Sequence, residues 1–284
     1  MPNCNLCPNN CGVDRKLNNG VCGVSDKVKI AKYYLHPFEE PIISGKRGSG
    51  TVFFSGCSLK CVFCQNYEVS RNLTGKEISI EELANIFKEL ESLGAENINL
   101  VNPTHYTDEI INAFNIYKPN IPIVYNTHGY EMEETLEKIN DFIDVYMPDM
   151  KYFGREVSFR YSGKKDYFEN AKKAIEYMLN KPIIFENGLL KSGVLVRHLV
   201  LPLNTVDSKK VLDWFATIKD KAYLSLMSQY TPFGKIDSFS ELKRKITKRE
   251  YNTLIDYALS LGIENMFIQE DLSSSEEYIP KWDF

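Results

Sequence analysis

Beyond residue 64 this 284-residue chain has no cysteine, and the whole of it carries only four histidines and two tryptophans. All seven cysteines therefore crowd into the first quarter of the sequence. Thiols acting as ordinary core residues would be spread along the chain, and an odd number excludes a fully paired disulfide framework. No apolar run approaches the roughly 18 residues that span a bilayer, so no membrane segment is expected. The opening residues, Met1-Pro2-Asn3-Cys4, lack a charged-then-apolar signal pattern, and a cytoplasmic location is expected. Positive charge is not in excess: the net charge is −4, which gives no field for nucleic acid. The basic cluster Lys243, Arg244, Lys245, Lys248 and Arg249 reads as a solvated helix face. There is no internal repeat and no low-complexity tract.

What is present is an alternation. Residues 1–24 are rich in Asn, Gly, Pro and Cys without apolar periodicity, so they cannot bury enough surface to order themselves and call for a metal staple. Residues 25–50 form a connector, with Val28 to Leu35 as a strand and a turn at His36-Pro37. From residue 51 short apolar strands alternate with helical patterns. Strands are expected at 51–55, 97–101, 121–125, 144–147, 194–201, 223–227 and 265–268. Helices are expected at 80–93, 108–116, 133–139, 168–179, 206–218 and 248–261. Gly94 stops the first of these helices. Repeated βαβ units mean a parallel sheet, and six or more of them fit a full or partial (β/α) barrel of the TIM type. Residues 51–270 are assigned to that barrel and 271–284 to a C-terminal tail. Chemistry in such barrels collects where strands end, which directs attention to residues 56 onward, 102–105, 126–129, 148–151, 202–204 and 229–231.

The first of these strand ends carries Cys57-Ser-Leu-Lys-Cys61-Val-Phe-Cys64. Three thiolates cannot close a four-ligand site, so a 4Fe–4S cluster held this way keeps one iron without a protein ligand. An open iron can chelate the amino and carboxylate groups of S-adenosylmethionine (SAM) and pass it an electron. Gly56 permits the tight exit from the strand, and Phe63 can shield a cluster or stack near an adenine. A zinc site completed by a histidine and incidental thiols are the alternatives. A second group, Cys4-x2-Cys7-x3-Cys11-x10-Cys22, supplies four ligands and describes a closed site. Thiolates suit zinc or an auxiliary 4Fe–4S cluster equally.

The stretch GTVFFSGCSLKCVFCQNYEVS resembles the radical SAM superfamily, nearest to the pyruvate formate-lyase activating enzymes and their related iron–sulfur proteins. Glu39-Glu40-Pro41, Ile43-Ser44-Gly45, a Pro-Thr-His-Tyr segment and a Ser-Gln-Tyr segment extend the likeness over nearly the whole chain. The resemblance implies a partial (β/α)6-type barrel, reductive cleavage of SAM to a 5′-deoxyadenosyl radical, and hydrogen abstraction from a substrate. It further implies a flavodoxin- or ferredoxin-type reductant and a glycyl-radical enzyme as partner.

Several site residues follow by matching motifs. Asn126-Thr127-His128-Gly129 resembles the family's ribose-contacting Asp-Thr-Asn-Gly, with Asn126 in place of the aspartate. Asp149 and Lys151 fall in the shared Met-x-Asp-x-Lys segment, and Arg197 opens the Arg-(Tyr or His)-Val-Val-Val-Pro strand, facing the carboxylate or ribose of SAM. Gln229 and Tyr230 match the segment that closes the adenosyl pocket. Where the superfamily grips the SAM amino group with Gly-Gly-Glu, this chain has Asn102-Pro103-Thr104-His105, which leaves the grip to Thr104 and backbone carbonyls. His105 and His128 lie on the predicted rim. Arg47-Gly48-Ser49-Gly50-Thr51 stands where activating enzymes have Gly-Pro-Gly-Ile-Arg, which keeps a small molecule or peptide open as the substrate. A non-catalytic iron–sulfur electron carrier is a third reading.

Overall fold

The runs Ile123–Thr127 and Val145–Pro148, rich in β-branched and aromatic residues, are buried at every position, as strands of a parallel sheet covered on both faces require. A computed structural model describes residues 4–269; the tail expected at 271–284 lies outside the described residues. In chain order the elements are β1 (Lys29–His36), α1 (Pro41–Ser44), β2 (Ser49–Phe54), α2 (Tyr67–Ser70), β3 (Lys76–Glu77), α3 (Ile80–Ser92) and β4 (Ile98–Val101). There follow α4 (Thr107–Ile116), β5 (Ile123–Thr127), α5 (Glu133–Ile139), β6 (Val145–Pro148), α6 (Arg155–Ser162), α7 (Tyr167–Met178) and β7 (Ile184–Glu186). The chain continues through β8 (Leu189–Leu199), α8 (Thr205–Ala216), β9 (Tyr223–Met227), α9 (Lys248–Ser260) and β10 (Met266–Ile268).

The sheet runs β10-β9-β8-β6-β5-β4-β2-β1-β3, with β7 paired to β8 outside that path. Every pairing from β2 through β10 along this order is parallel. This is the expected mixed α/β architecture of a partial barrel of the TIM type, and among the described residues the sheet does not close. On one side β1 pairs antiparallel with β2, and β3 antiparallel with β1; among the described residues the other edge is β10.

Alternate residues of the strands feed two apolar clusters, as the two-residue period of a strand demands. Ile123, Tyr125, Tyr146, Val194 and Val196 join the large cluster that includes Leu83, Phe87, Phe114 and Phe215 of the surrounding helices. Val124, Val145, Met147 and Leu195 face inward, and there Ile42 and Ile43 of α1 pack onto them. The short helix α1 thus plugs the barrel interior. Residues 4–24, free of helix and strand in the described part, lie against the same body, with Leu6, Cys22 and Val24 buried.

Two long helices begin with reciprocal caps. Ser79 and Glu82 form one at α3, and Thr247 and Glu250 form the other at α9. At α9 the Thr247 hydroxyl accepts from the Glu250 N–H at 3.2 Å, and Glu250 Oε2 accepts from the Thr247 N–H at 2.8 Å. Thr247→Ala is expected to cost about 1 kcal/mol of stability, readable in urea denaturation; no change would remove the cap from the stability account.

Candidate functional site

The turn leaving β2 is shaped by a close approach of chains. Gly56 has φ +94, and a Cβ there would lie 3.0 Å from Val24 Cγ1 and 3.1 Å from the Cys22 carbonyl oxygen. The loop is then pinned from several sides. Asn102 Nδ2 donates to the Gly56 carbonyl at 2.6 Å, His105 Nε2 pairs with the Ser55 carbonyl at 2.7 Å, and Cys57 N–H donates to the Cys22 carbonyl at 3.1 Å. Val62 N–H donates to the Tyr161 carbonyl at 2.9 Å.

Each thiol of the triad sits among donors. Leu59 N–H lies 3.4 Å from Cys57 Sγ, the Tyr152 hydroxyl 3.6 Å from Cys61 Sγ and the Ser70 hydroxyl 3.3 Å from Cys64 Sγ. Burial raises Cys57 and pushes the Cys61 thiol up to about 12, so bare thiolates are disfavoured there. A positively charged metal group reverses that preference, because coordination deprotonates a thiol outright. Among the described residues no three Cys, His, Asp or Glu side chains converge tightly enough for a single ion. Three thiol donors on one loop lining one cavity suit a cluster, which takes one thiolate per iron. The donor set therefore fits an iron–sulfur cluster.

The three cysteines line a cavity of 240 Å³ together with Phe63, Asn126, Thr127, His128, Asp149, Lys151, Arg197 and Gln229. Opposite the triad is a charged group built from inward-facing strand residues. Lys151 Nζ lies 2.5 Å from Asp149 Oδ2, and Arg197 Nε lies 3.1 Å from Asp149 Oδ1. Arg197 also reaches Asn126 Oδ1 at 2.5 Å and Glu39 Oε2 at 3.5 Å, and Asn99 Nδ2 donates to Glu39 Oε1 at 2.8 Å. Burial pushes the Asp149 carboxyl upward, but the charges of Lys151 and Arg197 outweigh it and hold the group below its ordinary value. Burial raises Glu39 and Glu40 in spite of Arg197.

The predicted site residues divide into two sets. Phe63 lines the cavity and is caged edge-on by Tyr152, Tyr161 and Tyr230 at 6.5, 6.1 and 6.0 Å. Burial lowers His128 to about 3, so its ring is neutral. Its Nδ1 accepts from the Tyr130 N–H at 3.1 Å, leaving Nε2–H to donate to Ser58 Oγ at 2.8 Å. Thr104, His105 and Tyr230 do not line the cavity. His105, also held neutral by burial, donates to Ser55 and so supports the cysteine loop from behind. The Tyr230 hydroxyl donates to the Leu242 carbonyl at 2.7 Å. The Thr104 hydroxyl donates to buried Glu131 at 2.6 Å, and Thr127 donates to the same carboxyl.

Glu131 and Glu39 carry functional weight that the motifs did not flag as site residues. Glu39 was visible only as part of the Glu-Glu-Pro segment. Glu131 gave no signal, since its role depends on two threonines from neighbouring strand ends. Gly129, two residues before it, has φ +81 and leaves no room for a Cβ, which would fall 2.3 Å from the Asp149 carbonyl oxygen. Burial pushes the Glu131 carboxyl from an ordinary 4.5 up to about 7, against the pull of its hydroxyl donors. A raised carboxyl binds its proton better folded than unfolded, so its stabilisation is complete below about 4.5 and lost as pH rises through about 7. Glu131→Gln is expected to flatten the fall in melting temperature between those values; an unchanged slope would rule the carboxyl out as its source.

With this geometry described, comparison with known proteins adds the following. Residues 51–215 match the family model of the radical SAM superfamily. The uncharacterized protein MJ0674 of Methanocaldococcus jannaschii is 30% identical over 278 residues, covering 93% of this chain and 77% of that protein. Protein MJ1227 of the same organism, provisionally named a glycyl-radical enzyme activating enzyme, is 26% identical over 219 residues, covering 74% of this chain and 82% of that protein. A solved domain of pyruvate-formate lyase-activating enzyme from Bacteroides vulgatus aligns with 12% identity and a TM-score of 0.41, over 59% of this chain and 91% of that domain. Since the matching family model spans more than half of the sequence, the chain belongs to the radical SAM superfamily.

Proposed function

We propose that Cys57, Cys61 and Cys64 hold the 4Fe–4S cluster and that the adjoining cavity binds SAM between this triad and the Asp149–Lys151–Arg197 group. The observation that carries the reading is the meeting of three thiols, Cys61 buried and the other two partly so, and that charged group in one cavity at the strand ends. The chemistry supplied by the bound pair is one-electron reduction of the sulfonium, which breaks a carbon–sulfur bond to give methionine and a 5′-deoxyadenosyl radical. Lys151 and Arg197 offer cationic donors to the SAM carboxylate, and Asp149 and Asn126 offer acceptors to its amino and ribose groups. Neutral His128 and Gln229 border the adenosyl side. Phe63 and Leu59, both buried, keep water from the thiols.

The radical then takes a hydrogen atom from a substrate. The relative provisionally named a glycyl-radical enzyme activating enzyme favours a glycine of a partner protein as the target. The open sheet supports a large substrate, since cavity residues His36 and Phe38 come from the β1 side and Met227 and Gln229 from β9 near the other edge. A flavodoxin- or ferredoxin-type protein supplies the electron. The test is anaerobic incubation of reduced protein with SAM and a candidate glycyl-radical enzyme. The expected results are 5′-deoxyadenosine and a glycyl radical signal by electron paramagnetic resonance. Deoxyadenosine without a glycyl radical for any candidate would move the substrate to a small molecule or peptide. Absence of deoxyadenosine would overturn the enzyme reading.

A further inference from the structure

The four cysteines ahead of the barrel have no part in the cavity. Backbone turns close this segment on itself: Cys4 N–H donates to the Val13 carbonyl at 3.0 Å, Gly12 N–H to the Cys4 carbonyl at 3.0 Å and Asn10 N–H to the Cys7 carbonyl at 2.9 Å. Asn9 adds a side-chain amide donor 3.4 Å from Cys7 Sγ. An amide aimed at sulfur stabilises thiolate, the form that ligates metal, over thiol.

Two of the thiols also lie close in space. At Gly20 a Cβ would fall 3.1 Å from Cys22 Sγ and 3.6 Å from Cys11 Sγ, so the absence of a side chain there keeps the space between two sulfurs clear. As at the triad, the sulfurs do not converge on a single-ion position.

We infer that Cys4, Cys7, Cys11 and Cys22 form a second, closed thiolate metal centre, and that this centre braces the loop of the triad. The metal is of the class bound by four thiolates, a zinc ion or an all-cysteine iron–sulfur cluster. The brace has three members. The Cys22 carbonyl receives the Cys57 N–H at 3.1 Å, joining a ligand of one set to a ligand of the other. Asn9, beside Cys7, donates to the Ser58 carbonyl at 2.9 Å and accepts from Lys164. Val24, two residues past Cys22, closes on Gly56. Without a metal, residues 4–24 have few apolar side chains to hold these three contacts in place.

The experiment removes the first set to expose the second. The Cys57→Ala/Cys61→Ala/Cys64→Ala variant is isolated anaerobically, and aliquots are loaded with Zn²⁺ alone or with ferrous iron and sulfide. Elemental analysis is expected to find one zinc, or about four iron with matching sulfide. Either result supports the centre and names its metal; no metal above buffer background in either arm overturns it. Hydrogen exchange at the backbone amide of residue 57 in the same variant then reads the brace, since alanine keeps that N–H. Stripping the metal with a chelator, or replacing Cys4 and Cys7 with alanine, is expected to speed that exchange at least tenfold. Unchanged exchange in metal-free protein would overturn the brace while leaving the metal centre standing. Neither readout depends on SAM cleavage, so both are independent of the proposed activity.

Discussion

Cys61→Ala is expected to abolish reductive cleavage of SAM, with a fall in 5′-deoxyadenosine of a thousandfold or more, roughly 4 kcal/mol in transition-state terms. Cys61 is the most buried of the three thiols, lies within reach of the Tyr152 hydroxyl, and is pushed up to about 12 by that burial. Alanine cannot coordinate iron, and an adjacent hydroxyl cannot substitute for a thiolate. The loop itself should persist, because Gly56, Cys57 and Val62 are held by backbone contacts to Asn102, Cys22 and Tyr161 rather than by that sulfur. The measurement is a single-turnover assay with chemical reductant, paired with iron content and a thermal melt. Full cleavage by a properly folded Cys61→Ala protein would remove the triad from the chemistry.

The second large effect is on stability. Arg197→Met is expected to cost about 3–5 kcal/mol, because removing one partner of a buried ion pair leaves uncompensated charge. Arg197 contacts Asp149 at 3.1 Å and Glu39 at 3.5 Å, and its charge also acts on Glu40. Three carboxyl groups thus depend on one guanidinium, with Lys151 as the other cation near Asp149. Methionine fills much of the volume, so the loss reports charge rather than a cavity. Combining Arg197→Met with Glu39→Gln should recover part of the loss, which a double-mutant cycle in urea would measure. Additive effects would mean the two groups do not interact.

Much of this was legible in the sequence, and the reasons differ by element. The strands at 97–101, 144–147 and 223–227 were legible because apolar runs buried on both faces leave a continuous pattern. Helices α3 and α9 were legible through their apolar stripe, each within a residue or two of its observed ends. Helix α6 was not, because Arg155–Ser162 buries only Ser158, Tyr161 and Ser162 and shows no apolar stripe. The β7–β8 hairpin was missed for a similar reason: Ile184–Glu186 is exposed throughout and pairs by backbone alone. At the site, spacing pointed to the cysteines, while Asp149, Lys151 and Arg197 came from the family resemblance. Neither revealed that Thr104 turns away to Glu131, or that Glu39 enters the barrel interior beside the α1 plug. Those placements depend on contacts between strand ends and on a connector whose path no local pattern encodes.

The contacts of the N-terminal segment also impose an order on biosynthesis. Asn9 meets Lys164 across 155 positions of chain, and Arg15 meets the His105 carbonyl across 90. Contacts of that separation form late, after the loop-closure entropy has been met by the rest of the fold. The segment that carries Cys4, Cys7, Cys11 and Cys22 therefore docks on the barrel late. Four cysteines remain exposed to oxidants and to stray metal until more than half the barrel has been made, and anaerobic expression with slow translation should favour correctly loaded protein.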